Sequence, residues 1–180
     1  RRKEWGGGMV AARHLHNRGA NVHLIRTSDS PLKEIPAQQW NILTKMGLQD
    51  EPDFNLVDAN LIIDAMIGYG LKGNPRSGVA NFIEKANASG KPILSLDAPS
   101  GLDTSSGAPG KPCIHARNTL TLALPKVGLL TESAEEVVGS LYLADISVPP
   151  ELYKNLGLDV DALFFKDTIL KISNLGEENV

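Results

Sequence analysis

The chain has 180 residues, of which 42% are hydrophobic and 22% are charged, and its formal net charge at pH 7 is −3. This length suits one compact domain, since a single core typically serves about 100–200 residues. The weak negative charge gives no electrostatic basis for binding nucleic acid or an acidic membrane, and no apolar run reaches the roughly 18 residues that cross a bilayer.

Cysteine usage points to a reducing compartment. Cys113 is the only cysteine, so an internal disulfide is excluded. With no apparent signal peptide, the sequence predicts a cytoplasmic protein. Cys113 follows a Gly-Lys-Pro loop with only His115 near it in sequence, and we expect a chemically silent thiol.

The chain opens on charged residues followed by a glycine triplet, Gly6, Gly7 and Gly8. An open α/β domain normally has a first strand that feeds such a loop, and no apolar strand precedes it here. We therefore expect a single domain over residues 1–180 that lacks the usual N-terminal helix and first strand.

The first half of the chain alternates between helical and extended patterns. The segment MVAARHLHNRG predicts a helix that Gly19 ends. Residues 20–26, ANVHLIR, predict a short strand. PAQQWNILTKMG predicts a second helix with Pro36 in its first turn, and residues 61–65 predict a strand.

The second half continues this alternation. Val79, Phe82, Ile83 and Ala86 fall at i, i+3, i+4 and i+7 and predict a helix with one apolar face. Strands are predicted in KPILSLD, NTLTLALP and GSLYLADISVP, a short helix in PPELYKNLG, an unassigned element in ALFFKDTILKI and a frayed end over residues 174–180. Strands that alternate with helices predict βαβ units and a mostly parallel sheet.

Polar groups follow several of the predicted strands. Asp64, Asp97, Lys126 and Asp145 each come at or shortly after the end of an apolar run. Ligands of open α/β sheets bind beyond the carboxyl ends of the strands. Each aspartate alone is equally typical of a turn, but Asp64 and Asp97 both lead into glycine-bearing loops, and together they favour a shared ligand site.

The glycine loop after Asp64 resembles a phosphate-binding loop in part. Gly68, Gly70 and Gly73 fit the spacing G-x-G-x-x-G, but three residues, Asn74–Arg76, separate them from the next helix. A dinucleotide fingerprint requires the helix to begin in the loop. Backbone amides of the loop could still approach a phosphate; the alternative is a plain flexible connection.

The turn after Asp97 carries Ser100. It has no G-x-S-x-G context, so a hydrolase nucleophile is not expected. Its hydroxyl is a hard oxygen donor, and with Asp64 it could hold an alkali or alkaline-earth cation.

Five segments together resemble the YjeF N-terminal domain family, whose known activity is NAD(P)H-hydrate epimerase. They are GGMVAARHLHNRGANV, LIIDAMIGYGLKG, ILSLDAPSGLDTSSG, TLTLALPKVGLL and LYLADISVP, within residues 6–149. The resemblance implies a Rossmann-like three-layer α/β/α sandwich, a homodimer and a substrate that is hydrated NADH or NADPH. It implies interconversion of the R and S epimers at the ring carbon C6, and a potassium ion nearby.

The resemblance also implies roles for individual residues. Asp64 and Ser100 correspond to potassium ligands, and Asp97 to a residue that contacts substrate. We infer in addition that Asp97 acts as the acid/base, with Lys126 as a second candidate. The implied substrate-binding residues, in two glycine loops, are Gly6, Gly7, Gly8, Gly68, Tyr69, Gly70, Leu71, Lys72, Gly73 and Asn74.

One segment departs from the family pattern. Family members read G-N-N-G-G-D-G where this chain reads RKEWGGG, so an asparagine that helps to hold potassium is replaced. Two alternatives therefore stay open: a non-catalytic scaffold of the same family that serves dimerisation and binding, and a different nucleotide-binding α/β enzyme. The retained Asp64, Asp97 and PSG turn favour the epimerase.

Overall fold

The computed structural model describes residues 5–28, 30–158, 164 and 167–172. The helices are α1 (Trp5–His16), α2 (Glu34–Lys45), α3 (Ser77–Ala88), α4 (Glu135–Val138) and α5 (Pro150–Asn155). The strands are β1 (Ile62–Asp64), β2 (Ile93–Leu96), β3 (Asn118–Leu122), β4 (Ser140–Ala144) and β5 (Ile169–Ile172). Within these ranges, none of the helices has the length and apolar character needed to cross a membrane.

The strands form one sheet in the order β1-β2-β3-β4-β5. The first four strands run parallel, with Ile63 opposite Leu94 and Ser95 opposite Thr119. β5 pairs antiparallel with β4. The predicted parallel-rich sheet is confirmed, and β5 supplies the assignment that the sequence alone did not give. The predicted frayed end, residues 174–180, lies outside the described residues.

The apolar face of α3 packs at the centre of the core. Ile83 and Ala86 are buried and contact a cluster that includes Ile93 of β2 and Ile114. Full burial of a side chain such as Ile83 contributes about 1.5–3 kcal/mol. The i, i+3, i+4, i+7 pattern therefore predicted both the helix and the face that it buries.

The strand predicted over residues 20–26 is wrong. In the described structure this segment makes one isolated bridge, between Leu24 and Asp50. Its apolar side chains Val22 and Leu24 pack instead against the cluster between α1 and α2. A cavity of about 740 Å³ lies between this segment and β1. An apolar segment becomes a strand only where a neighbouring strand lies within hydrogen-bonding distance, and here the cavity separates it from the sheet.

The glycine triplet is not a loop either. Gly6, Gly7 and Gly8 belong to the first two turns of α1, which begins at Trp5. A side chain at Gly8 would come within 2.6 Å of the Cβ of Ala65, directly after β1. The third glycine therefore permits α1 to approach the carboxyl end of β1 closely.

Candidate functional site

Three of the predicted site residues lie at one edge of the sheet. Asp64 is the last residue of β1, Asp97 follows β2, and Lys126 follows β3 after a short turn. Because β1, β2 and β3 are neighbours and parallel, their carboxyl ends share an edge, which is the usual ligand-binding edge of such a sheet.

Asp64 is buried and fully hydrogen-bonded. Its Oδ2 accepts from the Ser95 hydroxyl and from the backbone amide of Ser100, each at 2.8 Å. Its Oδ1 accepts from the Ser100 hydroxyl at 2.5 Å and from the amide of Met66 at 3.3 Å. The three bonds from Ser95 and Ser100 tie the end of β1 to β2 and to the loop after β2, and the bond from Met66 is local.

Burial dominates the titration of Asp64. Desolvation raises the pKa of its carboxyl above the ordinary value of 3.8, and the hydrogen bonds from Ser100, Ser95 and Met66 oppose that rise. A carboxylate buried without a cation is costly unless it is hydrogen-bonded, and the neutral donors of Ser95 and Ser100 supply that compensation.

Asp97 has an ionic partner. Its Oδ1 accepts a hydrogen bond from Lys126 Nζ, and this pair is largely but not wholly shielded from solvent. Lys126 Nζ also donates to the Thr121 hydroxyl at 3.0 Å and to the Leu122 carbonyl at 3.3 Å. The sequence analysis named Asp97 and Lys126 as two separate candidates, and the structure shows that they are in direct contact.

Backbone strain occurs beside this pair. Asp97 has φ +68° and Ala123 has φ +64°, a region that residues with side chains seldom adopt. Such conformations cost roughly 1–3 kcal/mol each and cluster at ligand sites. The conformation of Asp97 sets the direction of its carboxylate. Ala123 directly follows Leu122, whose carbonyl accepts from Lys126.

The loop over residues 68–74 lies next to the Asp64 network. Ser100 Oγ accepts from the amide of Ile67 at 2.8 Å, just before the loop. At its other end, Asn74 Oδ1 accepts from the amide of Lys111 at 2.9 Å. Leu71 is buried whereas Tyr69 is 60% exposed, so the loop is anchored at both ends and at Leu71, and Tyr69 faces solvent.

The turn after Asp97 requires glycine. Gly101 has φ +110°, and a side chain there would meet the carbonyl of Pro112 at 2.6 Å and the Cα of Cys113 at 2.7 Å. This close approach brings Ser100 under Asp64. Asp103, two residues on, is partly exposed and accepts from the amides of Ser105 and Ser106; these bonds lower the pKa of its carboxyl. It is a turn aspartate.

Asp145 is likewise a turn residue. It is exposed, and its Oδ1 accepts from the amide of Ser147 at 2.7 Å. Although β4 ends at the same edge, the structure gives this carboxylate a local role and does not join it to the others.

Hard oxygen atoms converge near Asp64. Ser100 Oγ lies 2.5 Å from Asp64 Oδ1 and 3.2 Å from the carbonyl oxygen of Ile67. Among the described residues, no group of three or more His, Cys, Asp or Glu side chains could hold a metal. Any cation here would be one that accepts hydroxyl and carbonyl ligands beside a single carboxylate.

Sequence reasoning missed two residues of the site, Ser95 and Thr121. Both are buried within strands and bond to the predicted site residues. Both residues are polar and lie inside the apolar runs ILSL and TLTL, which form strands covered on both faces of the sheet. A polar side chain buried in such a strand is expected to have a hydrogen-bond partner, and this was the available signal.

Cys113 is buried and packs against the turn at Gly101. Desolvation, with a smaller effect of the Asp64 charge, raises the pKa of its thiol to about 12. The reactive form of cysteine is the thiolate, so this environment supports the expectation of a silent thiol.

The chain is similar to proteins of one known family. The model of the family described as YjeF-related protein N-terminus matches residues 3–128. An NAD(P)H-hydrate epimerase of Dehalogenimonas lykanthroporepellens is 37% identical over 155 residues, covering 85% of this chain and 62% of that protein. One of Leuconostoc mesenteroides is 33% identical over 144 residues, covering 78% and 64%.

A longer relative is the bifunctional NAD(P)H-hydrate repair enzyme Nnr of Moorella thermoacetica, 35% identical over 159 residues that cover 82% of this chain and 30% of that protein. The chain thus spans less than two thirds of the length of these relatives. The crystal structure of yeast ynu0 matches with a TM-score of 0.74 and 23% identity, covering 92% of this chain and 71% of that one. This likeness shows a Rossmann-like α/β fold.

Proposed function

This chain belongs to the family of proteins related to the YjeF N-terminus, and we propose that it is an NAD(P)H-hydrate epimerase that interconverts the R and S epimers of hydrated NADH or NADPH. The observation that carries the proposal is the Asp97–Lys126 pair at the ligand-binding edge of the sheet, beside an anchored glycine loop. Relatives that bear the epimerase name at 33–37% identity support it.

The chemistry needs one proton donor and one stabilising negative charge. In the proposed reaction the C6–O bond of the hydrated ring breaks, its electron pair leaves with oxygen, and a proton from Lys126 Nζ completes a water molecule. The lone pair of the ring nitrogen then forms a cationic imine. Water adds to C6 from the other face, and its extra proton returns to the pair.

The geometry supports a division of roles between the two groups. Lys126 donates to Asp97, so the ammonium holds the transferable proton and the carboxylate accepts. The sequence favoured Asp97 as the acid/base; we now propose that Lys126 is the first proton donor. Asp97 then stabilises the developing cation, an effect that is strong where water is partly excluded.

The glycine segments suit the phosphates of the substrate. In the loop over residues 68–74, Tyr69, Gly70 and residues 72–74 are exposed, and Lys72 adds a positive charge. Gly6 and Gly7 lie in the first described turn of α1, and added side chains there would meet nothing within 4 Å. We propose that these two segments bind the negatively charged part of the substrate.

We also propose a potassium ion held by Asp64 and Ser100, with the carbonyl of Ile67. Ser100 Oγ lies 2.5 Å from Asp64 Oδ1 and 3.2 Å from the Ile67 carbonyl oxygen, and a hydroxyl that turns its hydrogen away from Asp64 becomes a cation ligand. The ion would supply positive charge beside the loop over residues 68–74. The residues present fit such an ion.

Two further features of the sequence analysis remain proposals. A cytoplasmic location is supported by the unpaired thiol of Cys113. A homodimer is expected from the resemblance, and sedimentation at micromolar protein concentration tests it: a mass near 19.3 kDa would indicate a monomer and twice that mass a dimer.

A second candidate is a non-catalytic binding domain of the same family. The observation that favours it is the glycine triplet, which lies in a helix and lacks the family's asparagines and aspartate. A non-catalytic domain of this kind would have the same fold but no catalytic turnover. An enzyme assay separates the two candidates directly.

The test uses one purified epimer of hydrated NADH. The R/S ratio is followed by chromatography with the protein, without it and with heat-denatured protein. We expect equilibration many times faster than the spontaneous rate. A rate equal to that of the two controls, in protein whose folding is confirmed by circular dichroism, rejects the epimerase and leaves the binding domain.

A further inference from the structure

The ammonium group of Lys126 has all three of its hydrogens engaged. An ammonium carries three donors, and Nζ contacts the carboxylate of Asp97, the hydroxyl of Thr121 and the carbonyl of Leu122. The charge is therefore held in one position before any ligand arrives.

Thr121 is the most rigid of these three acceptors. It lies within β3, where it pairs with Leu143 of β4, and its side chain is completely buried. Asp97, by contrast, follows β2 and itself has a positive φ, and Leu122 is the last residue of β3, directly before Ala123 with its positive φ. Lys126 itself lies outside the strand, at the start of the 3-10 helix Val127–Leu130, so its long side chain depends on its contacts for its direction.

We infer that Thr121 is a positioning residue that fixes the Lys126 ammonium against Asp97, and this inference rests on the proposed function. Thr121 does not reach substrate, because it is buried beneath the lysine. Its hydroxyl accepts from the ammonium, which keeps the proton donor aimed at the site edge. Such pre-positioning acts mainly on the chemical step rather than on substrate binding.

The chain offers a matched control two residues away. Thr119 lies on the same strand and the same face, is also completely buried, and its hydroxyl donates to the Val138 carbonyl at 2.8 Å. Replacing either threonine with valine keeps the shape and removes a hydroxyl. Only Thr121→Val removes a contact to the ammonium.

The experiment compares Thr121→Val, Thr121→Ser and Thr119→Val with the wild type. In the epimer assay we expect Thr121→Val to lower kcat roughly tenfold or more, the usual effect of a lost hydrogen bond to a charged group, with little change in KM. Thr121→Ser restores the acceptor and the rate. Thr119→Val keeps kcat near the wild-type value even if it lowers the melting temperature.

A second readout does not need activity. The ammonium hydrogens of Lys126 exchange slowly with water when all three are bonded, and ¹⁵N-lysine NMR detects this. We expect a Lys126 ammonium signal in the wild type, Thr121→Ser and Thr119→Val, and its broadening in Thr121→Val. Lys126→Met assigns the signal.

The two readouts separate failure of the function from failure of the inference. A wild type without epimerase activity rejects the function, and the NMR comparison still decides whether Thr121 holds the ammonium. An unchanged Lys126 signal in Thr121→Val, or equal losses of kcat in both valine variants, overturns the positioning role.

Discussion

The ends of β1 and β2 carry the same sequence pattern and different chemistry. Each strand ends at an aspartate that leads into a glycine-bearing loop. Asp64 is enclosed by hydroxyl and amide donors and has no cationic partner among the described residues. Asp97 pairs with Lys126 and stays partly accessible.

This difference indicates a structural role for the carboxylate of Asp64 and a reactive role for that of Asp97. The bonds of Asp64 reach β2 and the loops that follow β1 and β2, so its carboxylate organises the edge of the sheet. Asp97 bonds to an ammonium group, which can transfer a proton. We therefore expect substitutions at the end of β2 to change catalysis and substitutions at the end of β1 to change binding and stability.

The largest effect is expected for Lys126→Met. Methionine keeps much of the side chain's length and apolar contact but carries no proton. Loss of a general acid typically reduces the rate by about 10²–10⁴-fold, and we expect a fall of that order in kcat of the epimer assay. A loss of less than threefold, in a variant with the wild-type circular dichroism spectrum, would contradict the assigned proton donor.

Asp64→Asn is expected to act on binding. Asparagine keeps the size but gives up the negative charge, so potassium and substrate affinity should fall together. One charge-assisted contact is worth about 1.5–3 kcal/mol, or roughly ten- to a hundredfold in affinity. Potassium titrations of epimerase rate measure this in both proteins. Equal potassium dependence in the two would reject the ion-binding role.

The pH dependence of the free energy of unfolding tests the structural role of Asp64. Burial raises the pKa of Asp64 above 3.8, so the folded state binds its proton more tightly than the unfolded state. Its contribution to stability is therefore greatest below the unfolded pKa and falls as pH rises through the folded pKa, then levels. In potassium-free buffer, urea unfolding of wild type and Asp64→Asn across pH 4–8 should show the wild type losing stability relative to the variant as pH rises.

Asp103→Asn is the control, because the contribution of Asp103 to stability changes with pH in the opposite direction. Hydrogen bonds lower the pKa of Asp103, so its stabilisation is present above the unfolded pKa and is lost as pH falls. A stability difference for Asp64→Asn that did not change with pH would show that the Asp64 carboxyl titrates as it does in the unfolded chain.

The smallest effect is expected for Cys113→Ser. The thiol is buried and its raised pKa keeps it protonated near neutral pH. Epimerase rate should stay within twofold of the wild type, although burial of a hydroxyl in place of a thiol can lower the melting temperature. Loss of activity in a folded variant, or labelling of native Cys113 by iodoacetamide within minutes at pH 7, would contradict a silent thiol.

The elements that the sequence predicted well are those whose burial is local. The apolar face of α3, Val79 to Ala86, specifies its own packing, and continuous apolar runs such as ILSL specify buried strands. Residues 20–26 show the limit. Their apolar content is equally suited to a strand or to packing on a helix pair, and only the position of the neighbours decides between them.

The site was predictable to the same extent. Asp64, Asp97 and Lys126 could be placed at one edge because parallel strands share that edge. The partners of each could not be assigned, since they depend on how β2 and β3 align with β1. Thus Ser95 and Thr121 were missed, and Asp145, which follows a strand in the same way, forms a local turn.

The most direct test of the account is a comparison of Asp97→Asn with Asp103→Asn in the epimer assay. The two aspartates belong to the same loop, but only Asp97 contacts Lys126. We predict that Asp97→Asn lowers kcat roughly a hundredfold, in keeping with loss of a group that stabilises transition-state charge, while Asp103→Asn keeps the wild-type rate. Equal rates for the two variants would contradict a reaction centred on the Asp97–Lys126 pair.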